Sequence, residues 1–325
     1  MITAEEWRPL LERLERARGV LLTTHQNPDG DGIGSMLALW HHLRRRGARV
    51  AAHCIDPVPR IYRFLAGSEA VGCGPWDDPG FDTIISLDCG ARGRLAQPER
   101  FFAGRTLINI DHHRSNKRFG DLNFVDSDYC ATGVMVHGLI AADGGAVTRE
   151  IAEAVYVALV TDTGSFRYRG VTAAIHRLAA ELVEAGVDPA RVASAVYASN
   201  SRARMRLLTE VLATLRYEHE GRSAWLVVTR EAYRRTGADV EDTEGLIDLA
   251  ASVEGVEVAV MIRPHGSGGD DWKVSFRSRG RVQVGELAAA MGGGGHPDAA
   301  GCLCVGTLEE VTARVRARLT PLLAG

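Results

Sequence analysis

Lysine is almost absent from this chain, and neither sign of charge dominates it. Only Lys117 and Lys273 occur among 38 basic residues, and the formal net charge of the 325-residue chain is −3. Wrapping of long nucleic acid needs a strongly basic surface that displaces counterions, so the charge argues against that mode of binding. A short nucleotide stays compatible with this composition, because a local group of arginines can hold a few phosphates in an acidic protein.

Long apolar runs are also absent. No segment approaches the length that spans a bilayer, and the charged, helix-period stretch at 1–19 lacks the apolar core of a secretion signal. These absences predict a cytoplasmic protein that does not enter the membrane. The six cysteines show neither Cys-x-x-Cys spacing nor the density of a disulfide framework, which favours reduced thiols. Cys302 and Cys304 share an apolar run, and we expect both on one buried face of a strand.

The order of apolar segments predicts two domains, as does the length of the chain. In the first half, apolar β-branched runs alternate with helix-period segments, which is the pattern of βαβ units around a parallel sheet. The runs are 20–24, 83–87 and 106–110, and the helix-period segments are 33–46, 130–142, 150–160 and 172–185. The prediction is therefore an α/β domain with a parallel sheet at 1–187.

The second half has a different pattern. Residues 188–218 are helical in spacing and rich in arginine, and we interpret them as a connector. Strand-like segments at 223–229, 256–263 and 272–278, with a glycine-rich turn at 266–269, predict a smaller mixed α+β domain at 219–325.

Four polar clusters follow apolar segments in the first half. They are His25 to Asp31, Asp88, Asp111-His112-His113 and Asp162. We interpret the preceding segments as parallel strands, although the run before Asp162 also lies in a segment of helical spacing. Ligand crevices of open α/β sheets lie beyond the carboxyl ends of the strands, so the clusters are expected to meet there.

The residue types in these clusters predict a metal centre. Carboxylate and imidazole ligands suit Mn²⁺, Fe²⁺, Co²⁺ or Zn²⁺, and a set dominated by carboxylates favours Mn²⁺. Such a set is large enough for two ions that together activate an attacking water at a phosphorus centre, with one carboxylate bridging them.

Each residue also has a plainer interpretation. Asp29 and Asp31 are of the type that shapes a turn and caps a helix, and Asp162 is compatible with a turn. His41 and His42 lie on the polar side of a helix-period segment, so we expect them to be exposed to solvent. Only the four clusters taken together favour the metal centre.

The ordered motifs resemble those of the DHH phosphoesterase superfamily along the whole chain. In the second half, a glycine-rich segment is similar to the signature of the DHH-associated domain. The compact two-domain form most resembles the nanoRNase and pAp phosphatase group, the NrnA type. The matching motifs are His25-x-Asn27-Pro28-Asp29-Gly30-Asp31, Asp88, Asp111-His112-His113, Thr161-Asp162-Thr163-Gly164, and Gly292-Gly293-Gly294-Gly295-His296-Pro297-Asp298-Ala299-Ala300-Gly301.

The resemblance implies roles for the residues of the first domain. One ion would be held by His25, Asp29 and Asp88, and the second by Asp31, Asp88, His112 and Asp162, so Asp88 would bridge them. Asp111 would stand behind the ions and orient a ligating histidine. His113 would contact the scissile phosphate and protonate the leaving oxygen. Arg114 and Asn116 are candidates for phosphate contacts, with an exposed loop as an equal alternative.

In the second domain, the resemblance implies substrate binding. Gly293, Gly294 and Gly295 can offer backbone N–H groups to an anion, and a helix after them would add its positive end. His296 follows them directly, and Arg277 stands where the family contacts phosphate. A flexible surface turn is the plainer interpretation of the glycine run.

The implied activity is Mn²⁺-dependent hydrolysis of very short RNA or DNA and of 3′-phosphoadenosine 5′-phosphate (pAp). Linear or cyclic dinucleotides are an alternative class of substrate. A nucleotide-binding regulator with a degenerate metal centre is an alternative of another kind, and the intact set of ligand residues argues against it. The resemblance also suggests a homodimer, although no apolar stripe in the sequence identifies an interface.

Overall fold

The computed structural model describes residues 2–76, 78–168, 170–266 and 269–323. The chain divides into two compact units, Met1–Ser199 and Asn200–Gly325. The boundary lies inside the segment that was expected to be a connector, so the first helix of that segment belongs to one unit and the second to the other. Part of the glycine-rich turn expected at 266–269 lies outside the described residues.

The first unit is built on a six-stranded sheet in which every observed pairing is parallel. The strand order is β3-β2-β1-β4-β5-β6. The central strands are buried almost throughout, which is typical of a parallel sheet covered on both faces. This confirms the predicted α/β class. The strands are β1 (Val20–Thr23), β2 (Val50–Cys54), β3 (Gly72–Cys73), β4 (Thr83–Leu87), β5 (Thr106–Asp111) and β6 (Leu122–Val125).

The helices of the first unit confirm most of the predicted segments. The segment before Asp162 is a helix, so its interpretation as a strand was wrong. Every residue from Ile151 to Val160 is buried, and a helix that is buried on all sides shows the nearly continuous hydrophobicity of a buried strand. The helices are α1 (Ala4–Arg16), α2 (Gly30–Arg45), α3 (Glu99–Phe102), α4 (Thr132–Ala142), α5 (Arg149–Asp162), α6 (Ala173–Glu184) and α7 (Pro189–Tyr197).

His42 also differs from the expectation of solvent exposure. Its side chain is buried, and Nε2 lies 2.6 Å from Oδ2 of Asp143, just past the end of α4. Arg46 contacts the same carboxylate at 2.5 Å. The polar side of α2 is therefore covered at this point, because the partner carboxylate allows an imidazole to be buried there.

The second unit contains a six-stranded mixed sheet in the order β11-β12-β10-β9-β8-β7. Strands β8 and β9 are parallel, and the other pairings are antiparallel. This confirms the predicted mixed α+β class. The strands are β7 (Arg216–Glu218), β8 (Ser223–Val227), β9 (Val258–Pro264), β10 (Asp271–Ser278), β11 (Gly294–Gly295) and β12 (Ala299–Val305). The helices are α8 (Arg202–Leu212), α9 (Arg230–Thr236), α10 (Leu246–Ala251), α11 (Val284–Ala289) and α12 (Leu308–Leu323).

Two expectations for this unit have different outcomes. Cys302 and Cys304 are both buried in the core on one face of β12, as predicted. The glycine run, however, is preceded by helix α11 and followed by strand β12, so the expected helix after it was wrong. Across the described residues, no helix combines the length and the apolarity that crossing a membrane requires.

Candidate metal centre

The ends of three neighbouring strands place the polar clusters next to one another. β1, β4 and β5 lie side by side in the sheet, and their carboxyl ends lead into His25, Asp88 and His112. Asp162 comes from a different direction, as the last residue of α5. The structure therefore brings together all four clusters at one edge of the sheet, as the crevice rule for open α/β sheets predicts.

The first group of ligand atoms surrounds Nε2 of His25. This nitrogen lies 3.5 Å from Oδ2 of Asp88 and 3.7 Å from Oδ2 of Asp29. The other ring nitrogen, Nδ1, lies 2.8 Å from the carbonyl oxygen of Gln26, and that contact turns Nε2 towards the carboxylates. Asp29 also caps α2, since its Oδ1 accepts the backbone N–H groups of Asp31 and Gly32. The capping and metal-binding interpretations of Asp29 are thus compatible.

The second group surrounds Nε2 of His112. Three carboxylate oxygens lie near it, at 3.2 Å from Asp162, 3.5 Å from Asp31 and 3.6 Å from Asp88. Nδ1 of the same ring lies 3.0 Å from the carbonyl oxygen of Tyr129, which fixes the orientation of the imidazole. Donor atoms about 2.1 Å from one ion lie about 3.0 to 3.5 Å from one another, so these spacings fit a divalent cation.

Asp88 faces both groups with its two oxygens. Oδ2 is directed to His25 and Oδ1 to His112. Its backbone is left-handed, with φ of 55°, a conformation that aspartate tolerates better than most residues. The hydroxyl of Thr132 donates to Oδ1 at 3.1 Å. Strained backbone of this kind persists where surrounding contacts hold it, and here it orients the one carboxylate that both groups share.

The carboxylates of the first group stabilise positive charge at its centre. Burial and the charge of Arg94 oppose protonation of His25, yet its contacts with Asp29 and Asp88 outweigh them and raise the pKa to about 9. Burial also opposes ionisation of Asp88, but the contact with His25 holds the pKa of its carboxyl below the ordinary value.

The second group shows the same effect. Burial lowers the pKa of His112, but the charges of Asp162, Asp31 and Asp88 overcome this and raise it to about 9. Burial and the charge of Asp88 raise the pKa of Asp31 well above its usual range, and burial raises that of Asp162 to about 6. Several buried carboxylates in one place are therefore stabilised by nearby positive charge, and divalent metal ions supply more positive charge than protons do.

Asp111 and His113 form a pair beside these groups. Nδ1 of His113 lies 2.7 Å from Oδ1 of Asp111. The resemblance implied that Asp111 orients a ligating histidine, but the ring that it contacts is His113, whereas His112 is oriented by Tyr129.

Asn116 was a candidate phosphate contact, and its amide instead contacts Asp111. Arg114, the other candidate for a phosphate contact, is exposed, which agrees with the alternative interpretation of this segment as an exposed loop.

Three residues that contact the site were not anticipated from the sequence. Thr132 reaches Asp88 and Asp31, and the only earlier signal was its position at the start of a helix-period segment. The carbonyl of Tyr129 orients His112, and a backbone contact leaves no trace in the sequence. Asn109 contacts Asn116 and the carbonyl oxygen of Cys89. Its position as a lone amide inside an apolar strand is a sequence signal that could have predicted a buried polar contact there.

Among the substrate-binding candidates of the second unit, Arg277 lies in β10, Gly294 and Gly295 form the edge strand β11, and Gly293 and His296 flank β11. Gly293 permits a close approach of strands, since a Cβ there would lie 2.1 Å from the carbonyl oxygen of Gly301. Gly295 has φ of 144° and is paired with β12. Nε of Arg277 on β10 lies 3.0 Å from Oδ1 of Asp248. The glycine run is thus an ordered edge of the sheet and not merely a surface turn.

Comparison with known proteins agrees with this geometry. Residues 19–159 match the DHH family, N-terminal domain, and residues 218–320 match the DHHA1 domain. The chain is 36% identical to the bifunctional oligoribonuclease and PAP phosphatase NrnA of Thermus thermophilus, over 97% of this chain and 95% of that protein.

Two solved structures share the fold. One is an exopolyphosphatase-related protein from Bacteroides fragilis, with a TM-score of 0.88 and 27% identity over 100% of this chain and 99% of that one. The other is RecJ from Thermus thermophilus in complex with Mn²⁺, with a TM-score of 0.55 and 16% identity over 99% of this chain and 54% of that one. The chain therefore belongs to the DHH phosphoesterase family and, within it, to the NrnA group.

Proposed function

We propose that the protein is a two-metal phosphoesterase that releases nucleoside monophosphates from very short RNA and removes a phosphate from pAp. The observation that carries the proposal is the position of Asp88, whose two oxygens face His25 on one side and His112 on the other. A carboxylate shared by two sets of donors is the arrangement that a pair of ions about 4 Å apart needs. The homology to a bifunctional oligoribonuclease and PAP phosphatase supports the reaction.

The donor sets assign the ligands in this proposal. His25, Asp29 and Asp88 hold one ion, and Asp31, Asp88, His112 and Asp162 hold the other. Oxygen donors outnumber nitrogen donors and no thiolate is included, which favours Mn²⁺. When bound, such ions supply an activated water and neutralise the charge that develops on the phosphoryl oxygens.

His113 supplies the proton for the leaving oxygen. Its Nδ1 is engaged with Asp111, so proton exchange with a substrate must occur at Nε2. The buried Asp111 accepts from Nδ1 and fixes the rotation of the ring, which is the usual role of a carboxylate behind an imidazole. A neutral ribose hydroxyl then leaves instead of an alkoxide.

Substrate phosphates and bases are assigned to the second unit and to one loop of the first. Arg277, Gly293, Gly294, Gly295 and His296 are proposed for the second unit, and Arg114 for the loop after the histidine pair. Guanidinium groups and successive backbone N–H groups both suit phosphate. Similarity to the NrnA relative supports action on short oligonucleotides, and a cytoplasmic location is part of the same proposal.

A length series tests the proposal. Labelled RNAs of two to 24 nucleotides, the dinucleotide pApA and pAp are offered in parallel with Mn²⁺, and the Asp88→Ala variant serves as control. Rapid loss of the shortest RNAs and of pAp, with the longest strand nearly intact, is the expected result. Turnover of pApA alone would indicate that dinucleotides are the main substrates. No turnover of any substrate would favour the alternative of a nucleotide-binding regulator without catalysis.

A further inference from the structure

A network of two amides, the buried Asn109 and the half-buried Asn116, lies behind the Asp111–His113 pair. Nδ2 of Asn116 contacts Oδ2 of Asp111 at 2.5 Å and Oδ1 of Asn109 at 2.7 Å. Asp111 uses its other oxygen, Oδ1, for His113. We propose that Asn116 is a positioning residue for the reaction, because its amide holds the Asp111 carboxylate in the rotation that orients His113. This inference rests on the proposed function, in which His113 protonates the leaving oxygen.

The direction of the Asn116 amide is fixed by its other end. Its Oδ1 accepts the backbone N–H of Arg118 at 2.5 Å. If the amide were turned over, its oxygen would face three acceptors, on Asp111, Asn109 and the carbonyl of Cys89, and its NH₂ group would face a donor. The network therefore has only one satisfied arrangement, in which Asn116 donates to Asp111.

Asn109 anchors this arrangement to the sheet. It is fully buried in the middle of β5, where an amide without hydrogen bonds would be costly. Its Oδ1 accepts from Asn116, and its Nδ2 donates to the carbonyl oxygen of Cys89 at 3.1 Å. Cys89 directly follows Asp88, so the amides also tie the loop of the histidine pair to the end of β4.

The Asp111 carboxylate depends on this support. It is fully buried, and its Oδ1 contacts the imidazole of His113 while its Oδ2 contacts the amide of Asn116. A buried carboxylate that loses a hydrogen-bond donor either rotates towards another donor or stays in place with its charge less well stabilised. Either change removes the fixed orientation of His113 without altering any of the ligand atoms assigned to the ions.

The test uses substrates that differ in their need for a proton. A ribose hydroxyl must be protonated as it leaves, whereas p-nitrophenolate leaves as an anion. Asn116→Ala and Asn116→Leu, which is close to asparagine in size, both remove the donor to Asp111 and should lower kcat on a dinucleotide by about 10- to 100-fold. The rate on bis(p-nitrophenyl) phosphate should change little. His113→Ala should show the same preference, and adding Asn116→Leu to it should cause no further loss.

Controls separate the role of Asn116 from damage to the metal centre. Ser115→Ala alters an exposed neighbour in the same loop and should keep both activities. Mn²⁺ binding and urea unfolding are measured for every variant. Equal loss on both substrates, full activity on both, or an additive loss in the double variant would overturn the proposal. Wild-type protein that hydrolyses neither substrate with Mn²⁺ would reject the proposed function itself, before any variant is compared.

Discussion

The carboxylate of Asp31 caps the helix that begins at Thr132. Its Oδ2 accepts the backbone N–H of Thr132 at 2.6 Å, and its Oδ1 accepts that of Gly133 at 2.8 Å. The residue in the N-cap position, Ala131, has no side chain that could do this. A group proposed to hold a metal ion thus also accepts from the buried backbone N–H groups at the start of α4, which couples the metal centre to the packing of the helices.

Asp31→Ala should therefore destabilise the metal-free protein relative to Asp162→Ala. Both changes relieve repulsion within the carboxylate cluster, but only the first leaves buried N–H groups without an acceptor. The difference in the free energy of unfolding should be about 1 to 3 kcal/mol. Urea unfolding in the presence of a chelator measures it, and equal stability of the two variants would contradict the capping role.

A glycine on α4 allows that helix to lie close to α5. A Cβ on Gly133 would lie 2.4 Å from Cβ of Ala158, whereas one on Gly138, in the same helix, would meet no atom within 4 Å. Gly133→Ala should cost about 1 to 3 kcal/mol through overpacking. Gly138→Ala should be neutral or stabilising by up to about 1 kcal/mol, because alanine favours the helix. Matching unfolding curves for the two variants would show that this contact does not constrain the packing.

Binding of Mn²⁺ should strengthen as the pH rises. The pKa values of His25 and His112 are both raised to about 9, so both rings hold a proton at pH 7 in the metal-free protein. A ligating imidazole must be neutral, so binding releases these protons and the apparent Kd falls by up to about tenfold per proton for each pH unit. The effect should level off above pH 9. Calorimetry in buffers of different ionisation enthalpy counts the protons, and a Kd independent of pH from 7 to 9 would contradict this ligand set.

Arg277 should contribute to binding more than to the chemical step. Its guanidinium lies beside Asp248 on the sheet of the second unit. Arg277→Ala should raise KM for pAp by about 10- to 100-fold with a smaller change in kcat, because a charge-assisted contact is lost in the ground state and the transition state alike. Arg281→Ala, which removes the same charge from an exposed site, is the matched control. Equal effects from the two variants would point to general electrostatics.

The sequence predicts the metal centre more completely than the contacts around it. His25, Asp88 and His112 follow predictable strands, and topology alone brings their positions together. The helix that ends at Asp162 confirms the helical spacing predicted at 150–160, whereas the apolar run before Asp162 also resembled a buried strand, and that interpretation was wrong. The pairing of Asp111 with His113 depends on side-chain rotation within a two-residue separation, which periodicity does not encode. The contacts of Asp31 with Thr132 and Gly133 join residues about a hundred positions apart and emerge only when the helices pack.

Asp88 is proposed to join two metal sites into one hydrolytic centre. The most direct test of this role counts Mn²⁺ ions per chain by calorimetry and follows hydrolysis of pAp in the same samples. Wild-type protein should bind two ions and become active as the second binds, while Asp88→Ala should bind fewer and show no measurable hydrolysis. Asp128→Ala, an exposed carboxylate of the same unit, should match the wild type. Full activity with a single ion, or two ions and normal turnover in Asp88→Ala, would contradict the account.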